Sequence, residues 1–115
     1  MNQGPGGQAA TITRTELQRA AASAPGRLIV QTLFQIPVGQ ASGRHHHPGE
    51  EVGYLIQGRV DMEFDDRPTL RIAAGEPFLI PPGVVHNARN VGDVETRMLS
   101  TYLVDENQPL VTNCG

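Results

Sequence analysis

Three histidines stand in a row, His45, His46 and His47, and the fourth, His86, lies far along the chain. In an extended strand, side chains at i and i+2 share a face, so His45 and His47 aim their imidazoles at one point while His46 turns away. Pro48 and Gly49 then bend the chain, and Glu51 opens the next strand close enough to add a carboxylate oxygen. His86, flanked by a strand of its own, supplies a further imidazole from across a closed sheet. Three imidazoles and one carboxylate, with up to two positions left open, suit one divalent transition metal ion: Fe, Mn, Ni, Cu, Co or Zn, because such donors accept most first-row ions. Imidazole binds metal only when neutral, so acid should release the ion.

Elements that place these groups can be read from the punctuation. Glycine and proline together number 22 of 115 residues and separate short apolar runs. Val60, Met62 and Phe64 alternate with Asp61, Glu63 and Asp65, the period of a strand with one wet face. Further strands are predicted over 28–36, 44–47, 52–57, 69–72, 77–80, 85–90 and 94–104. Gly58, Ala74-Gly75, Pro81-Pro82-Gly83 and Gly92-Asp93 mark turns between them. Thr15 and Gln18 fit a helix capping box, but an isolated helix that short is marginal, and a strand over 11–18 followed by a loop is the preferred reading. Many short strands at regular spacing predict an all-β sandwich or barrel.

Composition narrows the chemistry by exclusion. A chain of 115 residues supports one core, expected over 11–115, with 1–10 as a mobile tail rich in Gly and Gln. All nine basic residues are arginines, which excludes Schiff-base chemistry and a Walker-type phosphate loop, since both need Lys. Net charge is −3 and there is no Trp, so neither a phosphate-tracking face nor a base-stacking platform is expected, and no nucleic acid partner. A single cysteine, Cys114, cannot close a disulfide within this sequence. No apolar run approaches the roughly 18 residues of a membrane span, and the N-terminal stretch lacks the basic and apolar regions of a secretory signal, so a cytoplasmic location is expected.

At the metal-ligating positions the sequence resembles the cupin superfamily. The first cupin motif, G-x5-H-x-H-x3-4-E-x6-G, is matched by Gly39, His45, His47, Glu51 and Gly58. The second, G-x5-P-x-G-x2-H-x3-N, is matched by Gly75, Pro81, Gly83, His86 and Asn90. The resemblance implies a small single-domain double-stranded β-helix, or jelly-roll barrel, with a metal in its mouth held by His45, His47, Glu51 and His86. Asn90 and the motif glycines and prolines read as structural.

Cupins host many activities, so the site must narrow the choice. The complete ligand set points to a metal-dependent oxidoreductase similar to the small quercetinase-like dioxygenases, acting on a small enolisable or aromatic substrate with Glu51 as both ligand and catalytic base. The alternative is a non-redox lyase, isomerase or decarboxylase on a small oxo-acid or sugar acid, with Glu51, Tyr54 or Tyr102 moving a proton. A metal-gated binding module without turnover is a third reading. Arg44 is a further candidate positioning group. A barrel of this size leaves sheet edges open, so a homodimer is expected, with residues 11–18 covering an edge.

Overall fold

The structure, a computed structural model, describes residues 11–115; the tail expected over 1–10 lies outside the described residues. Every regular element among them is a strand: β1 (Thr13–Ala21), β2 (Arg27–Ile36), β3 (His45–His46), β4 (Gly49–Gln57), β5 (Arg59–Phe64), β6 (Leu70–Ala73), β7 (Pro77–Ile80), β8 (His86–Asn90), β9 (Thr96–Asp105) and β10 (Thr112–Asn113). They form two five-stranded antiparallel sheets, ordered β1-β2-β9-β4-β7 and β10-β3-β8-β5-β6. The expected all-β jelly roll is the observed fold. None of the described residues forms a helix long and apolar enough to cross a membrane.

Alternation builds the core. On β2, Val30, Thr32, Phe34 and Ile36 are buried and the residues between them are not. The β2–β9 ladder sets Phe34 opposite Met98 and Val30 opposite Tyr102, so the inward residues of both strands meet Val60 and Met62 of the facing sheet. Each such side chain, fully buried, contributes about 1.5–3 kcal/mol. Beyond Met98 the inward row of β9 turns polar at Ser100 and Tyr102, and both are almost completely buried. They mark where the core gives way to the site.

Several boundaries differ from the sequence reading. β1 continues to Ala21, because its ladder with β2 runs on past a bulge at Glu16–Gln18 to pair Ala21 with Leu28. The strand expected over 44–47 shortens to His45–His46, since Pro48 has no N–H to extend the ladder. β10 carries no alternation signal in two residues; it pairs Thr112 with His46 and Asn113 with His45. The acids Asp61, Glu63, Asp65 and Asp66 each lie against an arginine, respectively Arg71, Arg89, Arg44 and Arg67.

Gly53, beside Glu51 on β4, has no room for a side chain: a Cβ there would overlap the Phe78 ring across the β4–β7 pair. Gly53→Ala should therefore destabilise the fold by about 2 kcal/mol or more. Urea unfolding measures this loss, and an unchanged midpoint would contradict the packing.

Candidate metal centre

Four elements converge on one point at the end of the barrel. His45 on β3 pairs directly with His86 on β8, which places those imidazoles side by side on the inner face of the second sheet. His47 follows β3 in the bend before β4, and its carbonyl accepts a hydrogen bond from the Gly83 N–H at 2.9 Å. Gly83 adopts φ +74, a conformation that favours glycine. Glu51 enters from β4 on the opposite sheet. The His45–His86, His45–His47 and His47–His86 ring centroids are 4.3, 4.8 and 5.1 Å apart. One potential ligand atom from each ring lies within 4.8 Å of the others, and all three rings are buried. His46 lies outside this cluster.

Hydrogen bonding fixes which nitrogen faces inward. Nδ1 of His45, His47 and His86 donates to the carbonyls of Gly43, Leu110 and Val84 at 2.6, 2.8 and 2.8 Å. A neutral imidazole that donates through Nδ1 carries a lone pair at Nε2. Glu51 Oε1 lies 3.1 Å from Nε2 of His47 and 3.2 Å from Nε2 of His86. His47 Nε2 and Glu51 Oε1 are buried without a hydrogen-bond partner. When both rings are neutral, electron pairs therefore face one another out of water with no hydrogen between them, an arrangement that costs free energy until a proton or a cation enters. The residues fit a divalent ion with three imidazole donors and one carboxylate donor.

Electrostatics agree with this fit. Burial opposes a charge on Glu51, but hydrogen bonds and positive charge from the His47 and His86 rings outweigh it when those rings carry a proton at Nε2, so the carboxyl is held well below its usual range and is ionised; a bound cation would take the place of those protons. Its second oxygen, Oε2, accepts from the Ser100 hydroxyl at 2.6 Å. Burial pushes the His45 imidazole down to about 4, with His86 and His47 adding to the shift, so the ring is neutral at physiological pH. Tyr102, opposite Glu51 on the ladder, is pushed up by burial and then by the Glu51 charge, so its hydroxyl keeps its proton.

Two spaces with lining residues in common border the donors. An inner chamber of about 10 Å³ touches His45, Glu51, His86 and Tyr102. That is the space of one small particle. An outer cavity of about 190 Å³ shares Phe34, His45 and Tyr102 with it, also touches His47, and opens between β1 and the C-terminal strap, with Leu110 and Val111 as further apolar walls.

Sequence reading misplaced two candidate groups and missed several others. Tyr54 projects from the outer face of β4 and is half-exposed, because it is one residue out of phase with Gly53 and Leu55. Arg44 is held outside the barrel by Asp65 and by the Cys114 carbonyl at 3.0 Å. The missed residues include Ser100, legible as a polar residue at an inward position, and Asn87. Asn87 Oδ1 accepts from the Gly43 N–H at 2.8 Å and so holds the loop whose carbonyl orients His45. The carbonyl of Leu110 has no signature in residue type at all. Asn90 plays the expected structural part, donating to the Ile36 and Val94 carbonyls, both at 2.9 Å.

The cupin domain family matches residues 32–102, well over half of the chain. The chain belongs to the cupin family. Polyketide synthase CurC of Streptomyces cyaneus is 37% identical over 62 residues, covering 53% of this cupin and 40% of that protein. This cupin spans about half or less of the curated relatives of this kind. A double-stranded β-helix protein from Klebsiella pneumoniae superposes with a TM-score of 0.74 at 18% identity, covering 93% of this chain and 90% of the other. Bacillus subtilis oxalate decarboxylase, whose centres hold Mn(II), superposes with a TM-score of 0.67 at 24% identity, over 74% of this chain and 23% of the other. At those identities the likeness is one of fold.

The shift at His45 predicts how the metal-free protein responds to acid. The unfolded chain takes up a proton near pH 6.5, the folded chain near 4, so the His45 contribution is complete above 6.5 and is lost as pH falls toward 4. Between pH 7 and pH 5 this removes about 2 kcal/mol of unfolding free energy. Urea titrations with chelator at the two pH values should show the loss, and His45→Asn should flatten it; equal stabilities in the native sequence would contradict the burial argument.

Proposed function

We propose that this cupin binds one divalent transition metal through His45, His47, His86 and Glu51 and acts on a small enolisable substrate. The observation that carries this reading is the set of buried lone pairs at Nε2 of His47 and Oε1 of Glu51, which a cation satisfies together. When bound, the metal supplies Lewis-acid polarisation of a substrate oxygen and, if redox-active, a route to dioxygen.

The chain's own residues supply the remainder. Phe34, Leu110 and Val111 give the outer cavity apolar walls, which strengthens charge interactions beside them. Glu51 is the one buried carboxylate among the described residues, and it is ionised, as a general base must be. Ser100 donates to its Oε2 and leaves Oε1 toward the histidines. The enolate formed by proton loss is the species a quercetinase-like dioxygenase passes to dioxygen. A second reading rests on Tyr102, whose protonated hydroxyl lies beside Glu51. It can return a proton to the enolate, as a lyase, isomerase or decarboxylase requires.

We propose further that two chains pair over β1. All nine of its residues are exposed, and it is the edge of its sheet. Unpaired N–H and C=O groups on such an edge seek a partner strand.

His47→Ala removes one donor and should reduce metal content from one ion per chain to a small fraction, read by mass spectrometry of protein purified without added metal. Retention of a full ion would overturn the assignment. Oxygen consumption by iron-, manganese-, nickel- or copper-loaded protein above a His86→Ala blank supports the dioxygenase, whereas anaerobic product formation supports proton transfer through Tyr102. Light scattering should give a mass near twice 12.4 kDa, and a monomer at micromolar concentration would exclude the pairing.

A further inference from the structure

The outer cavity holds one charge that the metal chemistry does not use. Arg14, on β1, faces the cavity next to Phe34, its partner in the β1–β2 ladder. Glu16 lines the same rim, but Arg19 engages both of its oxygens, at 2.9 and 3.1 Å, and so removes it as a partner for Arg14. Among the described residues, Arg14 forms no ion pair; its Nη2 donates to the Ser42 carbonyl at 3.2 Å. That bond carries the side chain across the mouth, and among the described residues no other partner takes the remaining guanidinium donors. The imidazoles of His45 and His47 and the Tyr102 hydroxyl lie in the cavity away from Arg14, at its floor, and the remaining lining is the apolar Phe34, Leu110 and Val111 with the uncharged Thr32 and Asn113.

This layout sorts ligands by shape and charge. A space of about 190 Å³ takes one six-membered ring, since about 150 Å³ accommodates benzene. A three-ring flavonol overfills it. A divalent ion outweighs Glu51 by one positive charge, and Arg14 adds another at the far end. The complementary molecule has an anion at the rim and an ionisable oxygen at the floor. We propose that Arg14 is a specificity-determining residue that selects small monocyclic or similarly compact carboxylates, binding the carboxylate at the rim while an oxygen at the opposite end of the ligand faces the histidines. The inference rests on the proposed metal reading for the floor but not for the rim. Guanidinium recognises a carboxylate through two parallel hydrogen bonds, which glutamine cannot reproduce.

The test compares 4-hydroxybenzoate with its uncharged analogue 4-hydroxybenzamide by titration calorimetry on zinc-loaded protein. The native sequence should bind the carboxylate about tenfold more tightly than the amide. Arg14→Gln should abolish that preference while leaving the amide affinity, the metal content and the thermal midpoint unchanged. Arg14→Lys should restore part of it. A merely structural role for Arg14 would weaken both ligands alike and overturns the proposal, as does a native protein that binds the two equally or binds neither. Metal content, measured in the same samples, separates the two readings. A native protein that takes up no zinc but still prefers the carboxylate through Arg14 refutes the metal centre alone, and one that takes up zinc without the preference refutes the rim alone.

Discussion

Three imidazole N–H groups donate to three backbone carbonyls, and the site depends on that constraint. Each bond holds one Nδ1, which turns the ring's remaining lone pair inward, for His47 and His86 directly toward Glu51. Carbonyls are acceptors only and cannot be satisfied by the opposite tautomer, so the orientation is set by the fold before any ion arrives. The cost is a buried cluster of electron pairs that the apoprotein leaves unpaired. Pre-organisation of that kind converts binding free energy into affinity for a cation instead of into reorganisation of the protein.

The barrel exists around this cluster as two sheets that each hold half of it. One sheet supplies His45 and His86 as direct ladder partners, and the other supplies Glu51 with Ser100 and Tyr102 beside it. The three carbonyls come from the loop at Gly43, the turn at Val84 and the C-terminal strap at Leu110. The strap is tied down by β10 on β3 and by the Cys114 N–H on the Arg44 carbonyl at 2.9 Å. Loosening the strap therefore acts on His47 at a distance, through a backbone acceptor.

Much of this was legible in the sequence, for reasons that differ by residue. His45 and His47 share a face because the strand period is two, and the ten motif positions identify the fold because turn residues and ligands recur at fixed separations. The alternation of Val60, Met62 and Phe64 with acids foretold the inward face of β5, where Val60 and Met62 are buried. What stayed hidden depends on tertiary placement. Tyr54 and Tyr102 are the same residue type on neighbouring strands, and only the phase of each ladder sends one outward and the other to the histidine cluster. Arg14 sits in a segment exposed along its whole length, so nothing in its local pattern distinguishes it from Arg19. The Leu110 carbonyl belongs to a residue whose side chain gives no hint of the bond.

The most direct measurement is anomalous diffraction from crystals grown with manganese and, separately, zinc. The account predicts one peak per chain at about 2.0–2.3 Å from Nε2 of His45, His47 and His86, with a Glu51 oxygen completing the set and all three Nδ1 atoms still on their carbonyls. A peak bound through Nδ1, or density elsewhere with the three rings unligated, would contradict it.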